Sequence, residues 1–193
     1  MFFLSKPSRE AIDKFIAAQR DQPFSYPQVG ASRERAPGTY TVDHHRVQLG
    51  CGGAVFAKAV KAVRQWKMFD MPWMNLCWPD TPIQVGATVA VLVSHLGFWS
   101  LNACRVVYVI EEQGMCQKYG LAYGTLPQHG EIGEGRFTVE FQSDDQSVWH
   151  DIYAFSRPGP FARLGYPYAR ILQKRFATDS IGSIMKATNE AFL

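Results

Sequence analysis

The stretch from Lys118 to Pro158, KYGLAYGTLPQHGEIGEGRFTVEFQSDDQSVWHDIYAFSRP, decides how this chain is read. A strand pattern over Met115–Leu126 runs into a loop carrying Pro127, His129, Gly130 and Glu131. A second strand follows over Arg136–Gln142, then the acidic turn Ser143-Asp144-Asp145-Gln146, then a third strand over Ser147–Phe155 that closes on Ser156-Arg157-Pro158. Connections this short join antiparallel neighbours. After them a helix runs from about Phe161 or Gly165 to Ala191, with Leu164, Tyr168, Leu172, Phe176, Ile181, Ile184 and Met185 in an approximate apolar stripe. A sheet followed by one terminal helix leaves a space between them. That space is either a packed core or a ligand cavity.

Working outward, the same pattern continues upstream. Val85–His95 and Trp99–Glu112 read as further strands, and Asn75–Trp78 as a short one. Thr39–Leu49 alternates as a first strand and is followed by a helix over Ala54–Phe69. Ser8 caps a helix over the positions around Ala11, Ile12, Phe15 and Ile16, and residues 22–38, rich in proline and glycine, form a loop. The expected organisation is an N-terminal helix and loop extension over 1–38 and a single domain over 39–193. The expected fold is α+β. A curved antiparallel sheet of six to seven strands wraps a long C-terminal helix, the arrangement called a helix grip.

Composition bounds the function. The chain has 193 residues and a formal net charge of +3, with no dense run of Lys or Arg, so no nucleic-acid partner is expected. Arg170, Lys174 and Arg175 read as a solvated helix face. Aromatic residues make up 13% of the chain, a richness that suits a core or the walls of an apolar pocket. Cys51, Cys77, Cys104 and Cys116 lack CxxC spacing and read as buried free thiols. The apolar start Met1–Leu4 is stopped by Ser5-Lys6-Pro7, and no uncharged apolar run reaches the roughly 20 residues of a membrane span. A cytoplasmic protein with no transmembrane segment is expected. P-loop, dinucleotide, nucleophile-elbow and zincin motifs are all missing, so neither a cofactor nor a metal is expected.

Several side chains are candidates for chemistry. His129, Glu131 and Glu134 share one loop, where an imidazole and carboxylates could act as base and orienter or as metal ligands. The competing reading is a turn whose polar side chains satisfy loop backbone. His150 is a further candidate imidazole, and either histidine could work with Glu131, Glu134 or Asp151. His44 and His45 are adjacent on a strand and so point to opposite faces. Arg157 could clamp a carboxylate or phosphate, cap the last helix, or pair with Glu134 or Asp151. Tyr108, Tyr119, Tyr123, Tyr153 and Tyr168 are candidates to line a pocket with His129 and Arg157. Along the last strand Val148, His150, Ile152, Ala154 and Ser156 share one face and Trp149, Asp151, Tyr153 and Phe155 the other.

Tyr123-Gly124-Thr125-Leu126-Pro127 with His129, Gly133-Glu134, Phe137–Val139, Ala154–Pro158 and the Pro167, Arg170, Gln173 series together resemble the DUF1990 (UPF0548) family. The likeness spans about residues 25–190. It departs at Gln128, where the family tends to glycine, and at Gly135, where a second acidic residue is usual. The family is similar to START and Bet v 1-like (SRPBCC) proteins, which implies the helix-grip fold and an often apolar cavity.

Three functional readings follow. The first is a binding protein for a small apolar or amphipathic molecule held between sheet and terminal helix. The second is an enzyme of cyclase, hydrolase or isomerase type using a His–carboxylate pair in that cavity. The third is a homodimeric interaction module presenting the apolar run Phe69–Met74, which could equally be a lid over the pocket mouth.

Overall fold

The computed structural model describes residues 1–34, 36, 38–159 and 166–189. Eight strands form one antiparallel sheet: β1 (Phe2–Phe3), β2 (Thr41–Cys51), β3 (Met74–Cys77), β4 (Thr88–Ser94), β5 (Trp99–Glu112), β6 (Cys116–Thr125), β7 (Glu131–Gln142) and β8 (Ser147–Pro158). Seven lie in the order β2-β8-β7-β6-β5-β4-β3, and β1 pairs with Ser100 and Trp99 of β5. The sheet curls around the C-terminal helix α3 (Tyr166–Asn189), the expected helix grip. Leu164 and the expected ends of this helix at Phe161 and Ala191 lie outside the described residues.

β7 begins five residues before the expected Arg136 and takes in Glu131 and Glu134. Gly133 and Gly135 suggested a loop, yet this segment is paired on both sides, Glu134 with Gly124 of β6 and with Phe155 of β8. Bonding to two neighbours outweighs the weak strand propensity of glycine. Strand alternation then sends Glu131, Gly133, Gly135 and Phe137 to the face under α3, and Ile132, Glu134 and Arg136 to the opposite one. The turn before it holds Gln128 at φ 71°, the left-handed backbone that glycine adopts at least cost.

The helix α2 (Gly53–Arg64) stops short of the expected Phe69. Trp66 takes a left-handed conformation, its indole N–H donates to Thr81 O at 2.8 Å, and a 3-10 turn over Lys67–Phe69 follows. The tryptophan is buried by this turn, and Met68, Phe69, Met71, Trp73 and Met74 are buried with it. The run expected as an exposed patch is therefore interior. Trp73 also donates to Asp179 of α3 at 2.7 Å.

Both faces of the sheet are covered. On one, α2 and α3 enclose the main core around Val63, Trp66, Phe137, Val148 and Ile184. On the other, α1 (Arg9–Gln19), capped by Ser8 accepting from the Ala11 N–H at 3.2 Å, packs Ile12, Phe15 and Ile16 on Leu92, Leu101 and Ala103. The segment from Phe24 onward then straps β7 and β8. Its anchor is Glu134, 3% exposed, which accepts from Tyr26 Oη at 2.6 Å, Gly30 N at 2.7 Å, Ser32 N at 3.0 Å and Ser32 Oγ. Replacing Glu134 by alanine takes the acceptor from the Tyr26 hydroxyl, the Ser32 N–H and the part-buried Gly30 N–H, while Ser32 Oγ keeps Tyr108. The expected cost is about 3 kcal/mol, read as a lowered urea midpoint together with faster proteolysis between residues 24 and 36. An unchanged midpoint would remove the anchor role.

Candidate functional site

The main hollow lies between the sheet and the N-terminal half of α3 and encloses about 400 Å³. Its inner wall is a group of four rings, Phe69, Tyr123, Phe137 and Phe176, with centroids 5.6 to 6.1 Å apart. Val91, Val93, Ile152 and Leu172 extend the apolar surface. Exposed Phe2 and Tyr168 line its outer part, with His95 stacked on Phe98 at 4.4 Å.

Polar groups collect where β2, β7 and β8 meet α3. Asp43 accepts both terminal nitrogens of Arg170, at 2.7 and 2.9 Å, and this guanidinium holds its carboxyl below the usual carboxylate range. Arg170 also donates to Gln173, whose Nε2 donates to Ser156 Oγ at 3.1 Å. The helix face expected to be solvated is thus partly an internal ion pair. Glu131 sits beside Ser156 and Gln173. Burial raises its pKa against those neighbours and Arg170, and its Oε2 is buried with no hydrogen-bond partner.

His129 also lines the cavity. Its Nδ1 is 2.9 Å from the Glu131 backbone N–H, so that nitrogen accepts and Nε2 carries the ring proton. Burial lowers its pKa to about 4. The imidazole is neutral at pH 7 with its lone pair already engaged, which removes it as a ready general base. Cys104, buried in the same wall, has its thiol pKa raised by burial, so it is not a thiolate nucleophile.

The remaining candidates take no free part in the cavity. Glu134 borders it, but its carboxylate is held under the strap by Tyr26, Gly30 and Ser32. His150 is fully buried, donates from Nδ1 to Thr138 O at 2.9 Å and stacks on Phe137 behind the cavity wall; burial lowers its pKa. Of the seven residues expected to contact a ligand, Tyr123, His129 and Tyr168 line the cavity. Tyr108 bonds Ser32 Oγ at 2.6 Å and Tyr153 accepts from Ala36 N at 3.1 Å, both on the strap side. Arg157 lies over the Tyr40 ring on that side too. Tyr119 belongs to the core near α2, under Arg64. The faces of β8 divide as expected, with Ile152, Ala154 and Ser156 on the cavity. His45 lines the cavity while His44 contacts Asp151 at 2.6 Å outside it. Asp43 and Gln173 were not foreseen as cavity residues. Asp43 shares strand parity with His45, and Gln173 follows Leu172 of the stripe, the two signals that pointed to them.

Among the described residues no three His, Cys, Asp or Glu side chains gather to hold a metal ion, and no helix is long and apolar enough to cross a membrane.

A family model described as a domain of unknown function, DUF1990, matches residues 25–183. The chain belongs to this family. A UPF0548 protein of Dictyostelium discoideum is 35% identical over 207 residues, covering 97% of this chain and 95% of that one. A UPF0548 protein of Deinococcus radiodurans is 35% identical over 200 residues, covering 97% and 98%. Among solved structures Ara h 8.0201 superposes with a TM-score of 0.50 at 11% identity, covering 77% of this chain and 97% of that one. The likeness is one of fold, and the fold of this DUF1990 member is a helix grip.

The neutral state of His129 has a consequence for stability. Above pH 6.5 the ring is uncharged in folded and unfolded chains alike. As pH falls toward 4 the unfolded chain takes up a proton that the folded protein refuses, so stability is lost in that window. The contribution of this ring is roughly 2 kcal/mol, reduced from the full shift because it is partly exposed. Urea titrations at pH 7.0 and 4.5 are expected to show a smaller loss for His129→Gln than for the wild type; equal losses would contradict the assignment.

Proposed function

We propose that this protein binds one small apolar or amphipathic molecule between the sheet and the N-terminal half of α3. The observation that carries the reading is the hollow itself. Its volume of about 400 Å³ suits a small ligand, its walls are mostly aromatic and aliphatic, and its polar groups are concentrated around Asp43, Glu131, Ser156 and Gln173. A guest with an apolar body and one polar end matches that distribution. On this reading residues 39–193 form the binding domain, Phe2 adds to the outer part of the cavity, and α1 with the segment from Phe24 braces the opposite face of the sheet. Four free cysteines support a reducing compartment such as the cytoplasm.

A catalytic reading has one observation in its favour: His129 and Glu131 meet in the same cavity, and the raised pKa of Glu131 suits a general acid. It lacks a partner base, because His129 Nδ1 is occupied and His150 is sealed behind the wall. Binding without turnover accounts for the same geometry with fewer requirements. The homodimer reading loses its motivating patch, since Phe69–Met74 packs inward, apart from the exposed Asp70 and Pro72.

Titration with the neutral fluorophore N-phenyl-1-naphthylamine is expected to give saturable binding of one molecule per chain in the micromolar range. Ala154→Phe, which places a ring in the cavity from β8, is expected to weaken binding at least tenfold with little change in urea midpoint. The absence of saturable binding, or full affinity in a well-folded Ala154→Phe protein, would remove the proposal.

A further inference from the structure

We infer that the guest of this cavity carries a cationic amine and that Glu131 receives it; the inference rests on the cavity being the binding site. Six buried side-chain atoms among the described residues lack a hydrogen-bond partner: Gln19 Oε1, Glu131 Oε2, Arg136 Nε, Thr138 Oγ1, His150 Nε2 and Ser180 Oγ. Of these residues only Glu131 lines the cavity. A buried carboxylate oxygen is an acceptor, and leaving it empty is costly. What completes it is a donor, and the free space beside it belongs to the guest.

Most neighbouring polar groups already have partners within the protein. Asp43 accepts from Arg170, Ser156 Oγ accepts from Gln173 and keeps its own O–H beside Glu131, Thr125 accepts from the Gly133 N–H and Asn102 from the Gly130 N–H at 3.2 Å. The Met1 amine, close enough to His129 to disfavour its protonation, is held by the carbonyls of Leu101 and Gln128. With one carboxylate bound two-pronged to Arg170, Glu131 is the second acid of this end and makes no ion pair among the described residues. His129 and His95 are both shifted toward their neutral forms by burial and add no charge at pH 7. An ammonium group supplies the donor that Oε2 lacks and a charge of its own beside a carboxyl whose nearest cation, Arg170, is bound to Asp43; a hydroxyl supplies only the first. Burial disfavours the ionised form of Glu131; an ammonium partner favours it, whereas an anionic guest would disfavour it further. The four rings and the aliphatic wall are left for the apolar remainder of the molecule.

The test compares three probes of one shape, decylamine, decanol and decanoate, each displacing N-phenyl-1-naphthylamine at pH 7.0. Decylamine is expected to bind at least tenfold more tightly than decanoate and at least threefold more tightly than decanol. Glu131→Gln is expected to abolish the amine preference, bringing the decylamine and decanol affinities within twofold of each other. Equal or tighter decanoate binding overturns the inference, as does an amine advantage that survives Glu131→Gln. The wild-type ranking needs no variant, so the inference stays open to refutation even where the substitution impairs folding. If the fluorophore binds but the amine is not preferred, only this inference falls. If neither the fluorophore nor any probe binds, the cavity reading falls with it.

Discussion

The alternation of side chains along β7 is the constraint on which the rest of the structure depends. Odd-numbered residues from Glu131 to Phe141 face α2 and α3, and even-numbered residues from Ile132 to Glu140 face the other way. Pairing with β6 on one side and β8 on the other pins this register. A slip of one residue would put Phe137 and Val139 outside and Glu134 and Glu140 into the core. The register therefore sets the core, the anchor of the N-terminal strap and the acid of the cavity together.

The hollow arises from where bulk is withheld. Toward the C-terminal half of α3, Ile184 packs with Val63, Trp66 and Met68 and the interior closes. Toward the N-terminal half the helix presents Ala169 and Ala177 beside Leu172 and Phe176, and the strands opposite present Gly133, Gly135 and Ala154. A Cβ at Gly135 would lie 3.3 Å from the Tyr123 ring, a tight contact to which the ring would have to yield. Protein interiors pack to high density when the side chains can fill them. Here small residues meet small residues, and the space is left open. The same helix thus serves as core at one end and as cavity wall at the other.

Much of this was visible in the chain. Alternation located β5 at Trp99–Glu112 as observed, the Ser8 cap marked α1, and parity sorted the two faces of β8. What escaped was set by contacts distant in sequence. Glycine at 133 and 135 reads as a loop until two neighbouring strands are supplied. Trp66 ends α2 because it is drawn to Thr81 and into the core, which helical spacing does not announce. Two residues are too few for alternation to reveal β1. Tyr108, Tyr153 and Arg157 look like pocket residues until the strap is laid over their face. Arg170 looks like a solvated cation until Asp43, 127 residues away in sequence, is brought opposite it.

Glu131 and Glu134 show how one residue type is given two uses. They stand three apart on one strand and so lie on opposite faces. Glu134 receives four donors from Tyr26, Gly30 and Ser32, enough to satisfy its oxygens, and it holds a segment in place. Glu131 is left with a buried oxygen that no described group meets. The groups around it are poor reagents. His129 has no free lone pair, and burial keeps the Cys104 thiol and the Tyr123 hydroxyl protonated. On the proposed reading, the unpartnered Glu131 Oε2 is the atom that receives the polar end of a guest.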